Sequence, residues 1–468
     1  MSDILYLGDG YKLSHHNQFD PNAEKLFYYY ESRGGIFTTI PFFGLQYYLL
    51  GLEDRINERN VKEAAYFYKE YYPDIPFNEE GWLYIANERA GQLPISIRAL
   101  PEGTMAPNNI PLFTVESTDD KVPWIVGWVE TYLSLLWYPL TVGALSYACK
   151  NVLRKTLVRT SDLEGDRLEE HLSYKLHDFG ARGVSSVESG SIGAAAHLLH
   201  FNGSDTVKGA MFLRDYYFLN KPFSTIPSME HSTITSWGKD NEENAYRNMI
   251  EKYGDFPYYG IVVDSYDMWN AIKNILGKKL KPLIDNKMGI LIIRVDSGDP
   301  NIIVPATLET LSSIWGFTTN SKGKRVLNNR IRVLQGDGME LHSIESLFYT
   351  LEVKGWSAEN VNVGMGGGLL QKVNRDDLKF AYKCSAKQLG DKTILPVFKD
   401  PITDPKKASK KGLLWVDKNF AVHSSSSYAN WSNNPLSILG EVYRNGNIIE
   451  TTNYTKIMKN IKESQNWN

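Results

Sequence analysis

The sequence predicts an α/β fold, a parallel sheet or barrel accompanied by a smaller α+β domain. Three observations lead there. Four mainly apolar segments too short for helices, at 260–263, 289–295, 330–335 and 361–365, each break abruptly into glycine, aspartate or arginine, as buried parallel strands do at their ends. Helical patterns such as 266–276 and 306–314 alternate with these runs, as strand-helix-strand units require. The first 120 residues, and those after Arg375, lack the alternation and mix short strands, helices and turns.

With 468 residues, 42% hydrophobic and 22% charged, the chain can bury a large core in two or three domains. A formal net charge of -3 gives no overall pull on nucleic acid or an acidic membrane, so any polyanion must be met by a local cluster. Cys149 and Cys384 form no metal or redox motif and read as reduced thiols of a cytoplasmic protein; no signal-peptide pattern is visible at the start. Residues 131–149 are uncharged over about the length of a bilayer span. Pro139 and several hydroxyl side chains interrupt them, which predicts two buried helices meeting at the proline.

In chain order, 25–31 reads as an aromatic strand, 43–50 as the start of a helix and 61–72 as a helix rich in Tyr and Phe. Strands follow at 93–99 and 112–116, then a helical stretch at 123–160 and a polar break at 161–166. Beyond it come a loop at 177–183, a helix at 190–200 whose glycines and alanines permit close backbone approach, and a helix at 207–217. The expected domains are an N-terminal α+β domain (1–165), an α/β barrel (166–374), and a C-terminal segment (375–468) returning to the first.

The carboxyl ends of the four strands should form one mouth, because α/β folds open their binding loops at that edge. It would hold Asp264, Asp267, Asp296, Asp299, Asp337 and Arg294. Each aspartate suits a ribose, a magnesium ion or an amide, and equally a helix cap. Arg294 lies two residues from Asp296 and so shares one face of a strand with it, a pairing suited to phosphate and sugar hydroxyls together. The glycines at 364 and 366–368 precede a helix and offer free N–H groups to a phosphate, or make a plain tight turn. Glu230 beside His231 sets a carboxylate next to an imidazole, although spacing alone leaves this histidine, like His177, His15 and His16, as readily structural. Lys399, Lys406, Lys407, Lys410 and Lys411 form the one dense basic run, a solvated loop or a partner for a polyphosphate.

Blocks along the chain resemble the nicotinamide phosphoribosyltransferase family. They include Asp9-Gly-Tyr-Lys12, Tyr30-Glu-Ser-Arg33, Leu176-His-Asp-Phe-Gly-Ala-Arg182, Gly203-Ser-Asp-Thr206, Glu230-His-Ser-Thr233, Asp264-Ser-Tyr-Asp267, Arg294-Val-Asp-Ser-Gly298, Gln335-Gly-Asp-Gly338, Gly366-Gly-Gly-Leu369 and Phe398-Lys-Asp-Pro401. The resemblance implies transfer of the 5-phosphoribosyl group from phosphoribosyl pyrophosphate to nicotinamide, giving nicotinamide mononucleotide and pyrophosphate in NAD salvage. It implies an irregular α/β barrel of the type II phosphoribosyltransferase kind, with a second α+β domain formed from both chain ends. It also implies magnesium, ATP coupled through a phosphohistidine, and a homodimer with shared active sites; neither nucleic acid nor membrane is an expected partner.

By matching motif, the family resemblance implies that Phe179 stacks on nicotinamide, with Tyr11 of a second copy on the other face and Asp9 nearby. Asp205 and Arg182 would contact the carboxamide. Arg294, Asp296, Gly336 and Asp337 would hold the ribose, and Gly366 and Gly367 the 5-phosphate, with Arg375 and Lys383 from the second copy. Arg33, Lys399 and Lys407 would clamp pyrophosphate or ATP. His231 resembles the phosphorylated histidine, with Glu230 and Asp267 orienting the imidazole or its surroundings. Ala181, Thr225 and Val263 depart from the family pattern around the nicotinamide pocket. The alternatives are nicotinate phosphoribosyltransferase, disfavoured by Asp205 and the Glu230-His231 block, and a magnesium-dependent α/β-barrel lyase, which leaves the Phe179 loop and the basic clamp unexplained.

Overall fold

A computed structural model of the chain describes residues 4–403 and 408–465 and divides into two compact units. The first boundary falls between Ala144 and Leu145, inside the helix Trp137–Thr160 and ahead of the polar break at 161–166; residues 213–219 and the segment from Asn374 onward belong with the N-terminal part. Pro139 lies in the first turn of that helix, where its missing N–H is not needed, so the break from the preceding helix Glu130–Ser134 comes just before Trp137. No helix among the described residues is long and apolar enough to cross a membrane.

The first unit is organised by a seven-stranded antiparallel sheet to which both chain ends contribute. Phe380–Leu389 pairs with Ala23–Ser32, and Gly440–Arg444 pairs with Ile95–Ala99. The aromatic strand Ala23–Ser32 is central, and the Tyr30 ring lies between Phe113 and Phe380 with centroids 4.9 and 5.3 Å away. Each such pair contributes about 1 kcal/mol beyond burial. Buried Glu102 accepts from the Gly44 and Gln46 N–H groups at 3.0 and 2.7 Å, capping the helix Leu45–Gly51, and from the Tyr217 hydroxyl at 3.3 Å.

The second unit holds a parallel sheet in the order Gly203–Ser204, Leu176–Asp178, Val361–Met365, Ile331–Gln335, Ile290–Val295, Tyr258–Val262. The four strands predicted from sequence are thus consecutive neighbours. The two edge strands are linked by 224–228, which bridges Gly203 through Ser224 and Gly260 through Ser228, both in parallel sense. The sheet therefore curls into an irregular barrel. Ile261, Ile293, Val333 and Val363 are fully buried, as central residues of parallel strands are expected to be. On its outside, a Cβ on Gly209 would meet the Ala194 methyl at 2.5 Å, so the small-residue helix Val187–His197 does allow the close approach predicted from its composition.

Burial pushes the Glu102 carboxyl up to about 7 from an ordinary 4.5, despite the N–H groups that oppose it. The folded chain therefore binds the proton more tightly than the unfolded chain, and this contribution to stability is lost as pH rises from 4.5 to about 7. Replacing Glu102 by Gln removes the titration. Urea unfolding is expected to show the variant gaining ~2 kcal/mol on wild type between about pH 5 and pH 8; an equal gap at both pH values would contradict this.

Candidate functional site

The barrel encloses a cavity of about 1710 Å³. Phe179, Arg182, Asp205, Glu230, His231, Arg294, Asp296, Gly336, Asp337, Gly366 and Gly367 line it towards the carboxyl ends of the strands, and Arg167, Glu170, Tyr174, Pro257 and Ile290 towards the other end. Eleven of the expected site residues thus share one space.

Arg294 and Asp296 leave the end of Ile290–Val295 as a bidentate pair, Nη2 to Oδ2 at 2.9 Å and Nε to Oδ1 at 3.4 Å. A Cβ on Gly336 would stand 2.6 Å from Asp296 Oδ1 and 3.0 Å from Arg294 Nε, so the neighbouring strand makes room for the pair only with glycine. The guanidinium also lies over the Phe179 ring, 5.5 Å from its centroid. Phe179 is held by its own N–H on the Met365 carbonyl at 2.9 Å, and its ring packs flush on Gly364, where a Cβ would meet ring carbon Cε2 at 2.0 Å. A glycine inside a strand marks such close approach, the one sequence signal for this contact. A Cβ on Gly367 would find nothing nearer than 3.6 Å, so its backbone faces open cavity.

Asp205 is fixed at one oxygen: Oδ1 accepts from Thr225 Oγ1 at 2.5 Å and meets His177 Nε2 at 3.3 Å. Burial alone would raise its pKa; the His177 and Thr225 hydrogen bonds and the charges of His177 and Arg294 outweigh that and hold it below the usual carboxylate value. Asp205 is therefore an anion at neutral pH. Buried Asp178 organises the two segments behind it, accepting from Gly180 N–H and from Ser204 Oγ at 2.7 and 2.8 Å. Of the family departures, Thr225 thus supplies a hydrogen bond, Ala181 lines the cavity, and Val263 is fully buried with its N–H on the Arg294 carbonyl.

The imidazole of His231 is oriented by a different carboxylate from those expected. Asp264 Oδ1 lies 3.0 Å from His231 Nε2, and its Oδ2 accepts from the Asp296 N–H at 3.3 Å. Glu230 instead accepts from Ser232, because consecutive side chains in this turn diverge, and Asp267 caps the next helix by accepting from the Asn270 N–H at 3.0 Å. Asp299 likewise caps Pro300–Trp315. The five aspartates of the sequence pattern therefore separate into two caps, one imidazole partner, the arginine partner Asp296, and exposed Asp337. Among the described residues no group of three or more His, Cys, Asp or Glu could hold a metal ion.

The remaining expected residues belong to the other unit. Tyr11 is 61% exposed on the turn Gly10–Asn17, Asp9 accepts from Thr131 Oγ1 at 2.8 Å, and the Arg375 side chain is 62% exposed. Lys383, on Phe380–Leu389, stands opposite Tyr29 in the sheet. Arg33 donates to Glu31 at 3.4 Å, and the Lys399 N–H donates to Ser409 Oγ at 3.0 Å. Lys406 and Lys407 lie outside the described residues.

A family model described as the nicotinate phosphoribosyltransferase (NAPRTase) family matches residues 174–446, and one described as the nicotinamide phosphoribosyltransferase N-terminal domain matches residues 3–97. A protein of Xanthomonas campestris named nicotinamide phosphoribosyltransferase is 43% identical over 88% of this chain and 87% of its own length. A Mycoplasma pneumoniae protein of the same name is 31% identical over 70% and 73%. Among solved structures, nicotinate-nucleotide pyrophosphorylase from Pyrococcus furiosus matches with a TM-score of 0.56 at 14% identity, over 100% of this chain and 97% of that one. Human nicotinic acid phosphoribosyltransferase matches with a TM-score of 0.55 at 15% identity, over 98% and 93%. These two share the fold.

Gly364→Ala tests the seat of Phe179. It is expected to destabilise the barrel by ~2 kcal/mol in urea unfolding, and by under about 1 kcal/mol when Phe179→Ala has already removed the ring. Equal costs in both backgrounds would show that the ring does not rest there.

Proposed function

Because the chain belongs to the nicotinate phosphoribosyltransferase family, and within it with the nicotinamide phosphoribosyltransferases, we propose that it joins the 5-phosphoribosyl group of phosphoribosyl pyrophosphate to the ring nitrogen of nicotinamide. The products are nicotinamide mononucleotide and pyrophosphate, in NAD salvage. The observation that carries this reading is the convergence of an aromatic face, an anionic amide acceptor and a paired Arg294–Asp296 on one cavity.

Phe179 orients the flat nucleophile. Asp205, anchored through Oδ1, presents its other oxygen to the carboxamide N–H, and Arg182 stands nearby on the cavity wall. As the bond from the anomeric carbon to pyrophosphate breaks, the sugar gains positive charge, which Asp296 and Asp337 stabilise while holding its hydroxyls. The N–H groups of Gly366 and Gly367 take the 5-phosphate. Magnesium, when bound, would neutralise the charge that gathers on the leaving diphosphate. Asp264 on one ring nitrogen of His231 leaves the other to accept a phosphoryl group from ATP, coupling its hydrolysis to synthesis. Exposed Tyr11 and Arg375, together with Lys383, complete the site of a second copy in a cytoplasmic homodimer, and Arg33, Lys399 and Lys407 meet pyrophosphate or ATP. The charge on Asp205 argues against nicotinate, whose carboxylate it would repel.

The purified chain, given nicotinamide, phosphoribosyl pyrophosphate and magnesium, is expected to form the mononucleotide, with a higher yield and acid-labile phosphate on His231 when ATP is added. No mononucleotide in either condition sinks the reading; indifference to ATP with no phosphohistidine removes only the coupling. Asp205→Asn is expected to lower kcat/KM for nicotinamide by ~10–100-fold and to raise nicotinate use relative to nicotinamide. An unchanged ratio would remove Asp205 as the selector.

A further inference from the structure

The sheet of the N-terminal unit carries a group of cations around one buried carboxylate. Glu31, on Ala23–Ser32, has a side chain only 3% exposed. Its Oε1 accepts from Arg33 Nε at 3.4 Å and its Oε2 from Lys410 Nζ. The Lys410 backbone is fixed as well, its N–H donating to the Tyr29 hydroxyl at 2.9 Å. One residue earlier, Ser409 is bonded to Lys399 in both directions, each at 3.0 Å. The Lys383 amine lies in the same field: burial lowers its pKa, and Arg33, Lys399 and Lys12 lower it further against the pull of Glu130.

Cations gathered this closely repel one another and are disordered without a counter-charge. Glu31 spends both oxygens on two of them. It holds Arg33 by Nε, the Tyr29 hydroxyl lies against the same guanidinium, and Arg33 Nη2 is still buried without an acceptor among the described residues. A desolvated guanidinium N–H without an acceptor is a cost that a bound anion would relieve. We propose that Glu31 is a positioning residue for a diphosphate or triphosphate site on this unit, setting Arg33 directly and the bonded Lys399 and Ser409 through Lys410, which becomes a further cation of that site. The identity of the anion rests on the proposed function; the positioning does not.

The sign of one measurement separates positioning from bulk electrostatics. If Glu31 were only a negative charge among cations, removing it would tighten anion binding; if it positions them, removal weakens binding. Calorimetric titration of the full chain with inorganic pyrophosphate is expected to give ~10-fold weaker binding for Glu31→Gln. Glu31→Asp, which keeps the charge but shortens the reach, should weaken binding similarly, and Glu31→Gln with Lys410→Met should be no worse than Glu31→Gln alone. In turnover, KM for phosphoribosyl pyrophosphate should rise ~10-fold, with kcat and KM for nicotinamide within about twofold. Unchanged or tighter pyrophosphate binding by Glu31→Gln overturns the proposal, as does a wild-type chain that binds no pyrophosphate. If the Gln variant does not fold, binding by the Asp variant at wild-type strength overturns it equally. A wild-type chain that makes no mononucleotide, while the variants still lose pyrophosphate, removes the proposed function and leaves this inference standing.

Discussion

The bidentate contact between Arg294 and Asp296 ties the barrel cavity together. Gly336 on one side has no side chain because the pair fills that space, and Phe179 lies under the guanidinium on another. The Asp296 N–H reaches Asp264, and through Asp264 the contact is linked to His231. Asp205 feels the same guanidinium, which helps to keep it ionised. An arginine left alone at this depth would be a strong general anion trap; paired with Asp296 it leaves a local field suited to a sugar carrying charge of both signs.

The fold makes this pairing possible by elementary means. Parallel strands covered on both faces carry mainly apolar side chains, here interrupted on the cavity side by Arg332 and Asn362, and most of the polar groups collect where the strands end. The barrel closes irregularly through 224–228, and that segment brings Thr225 to Asp205. A regular strand there would alternate its side chains across the wall; two isolated bridges instead let the chain turn its hydroxyl into the cavity.

The four long barrel strands were legible in the sequence because short segments rich in Ile, Val and Leu end at a glycine or aspartate. The strands Leu176–Asp178 and Gly203–Ser204 are too short to show any period, and 224–228 has none, so the closure of the barrel was not legible. Among the side chains, Arg294 and Asp296 could be paired from their spacing within one strand. His231 and Asp264 could not, since 33 residues separate them; adjacency favoured Glu230, whose side chain points to Ser232. Asp267 and Asp299 illustrate the converse, since a carboxylate after a strand is as useful to the next helix as to a ligand. Glu31 was visible only as a letter within a family block, because its role depends on Lys410, 379 residues away.

The central claim is that the nicotinamide ring rests on Phe179 with its carboxamide on Asp205, beside the Arg294–Asp296 pair. A crystal structure with nicotinamide bound tests it most directly. The account predicts the ring parallel to Phe179 and the carboxamide nitrogen within hydrogen-bond distance of the Asp205 oxygen that Thr225 leaves free. A ring bound at the opposite end of the cavity, against Tyr174 and Pro257, with Phe179 and Asp205 untouched, would contradict it.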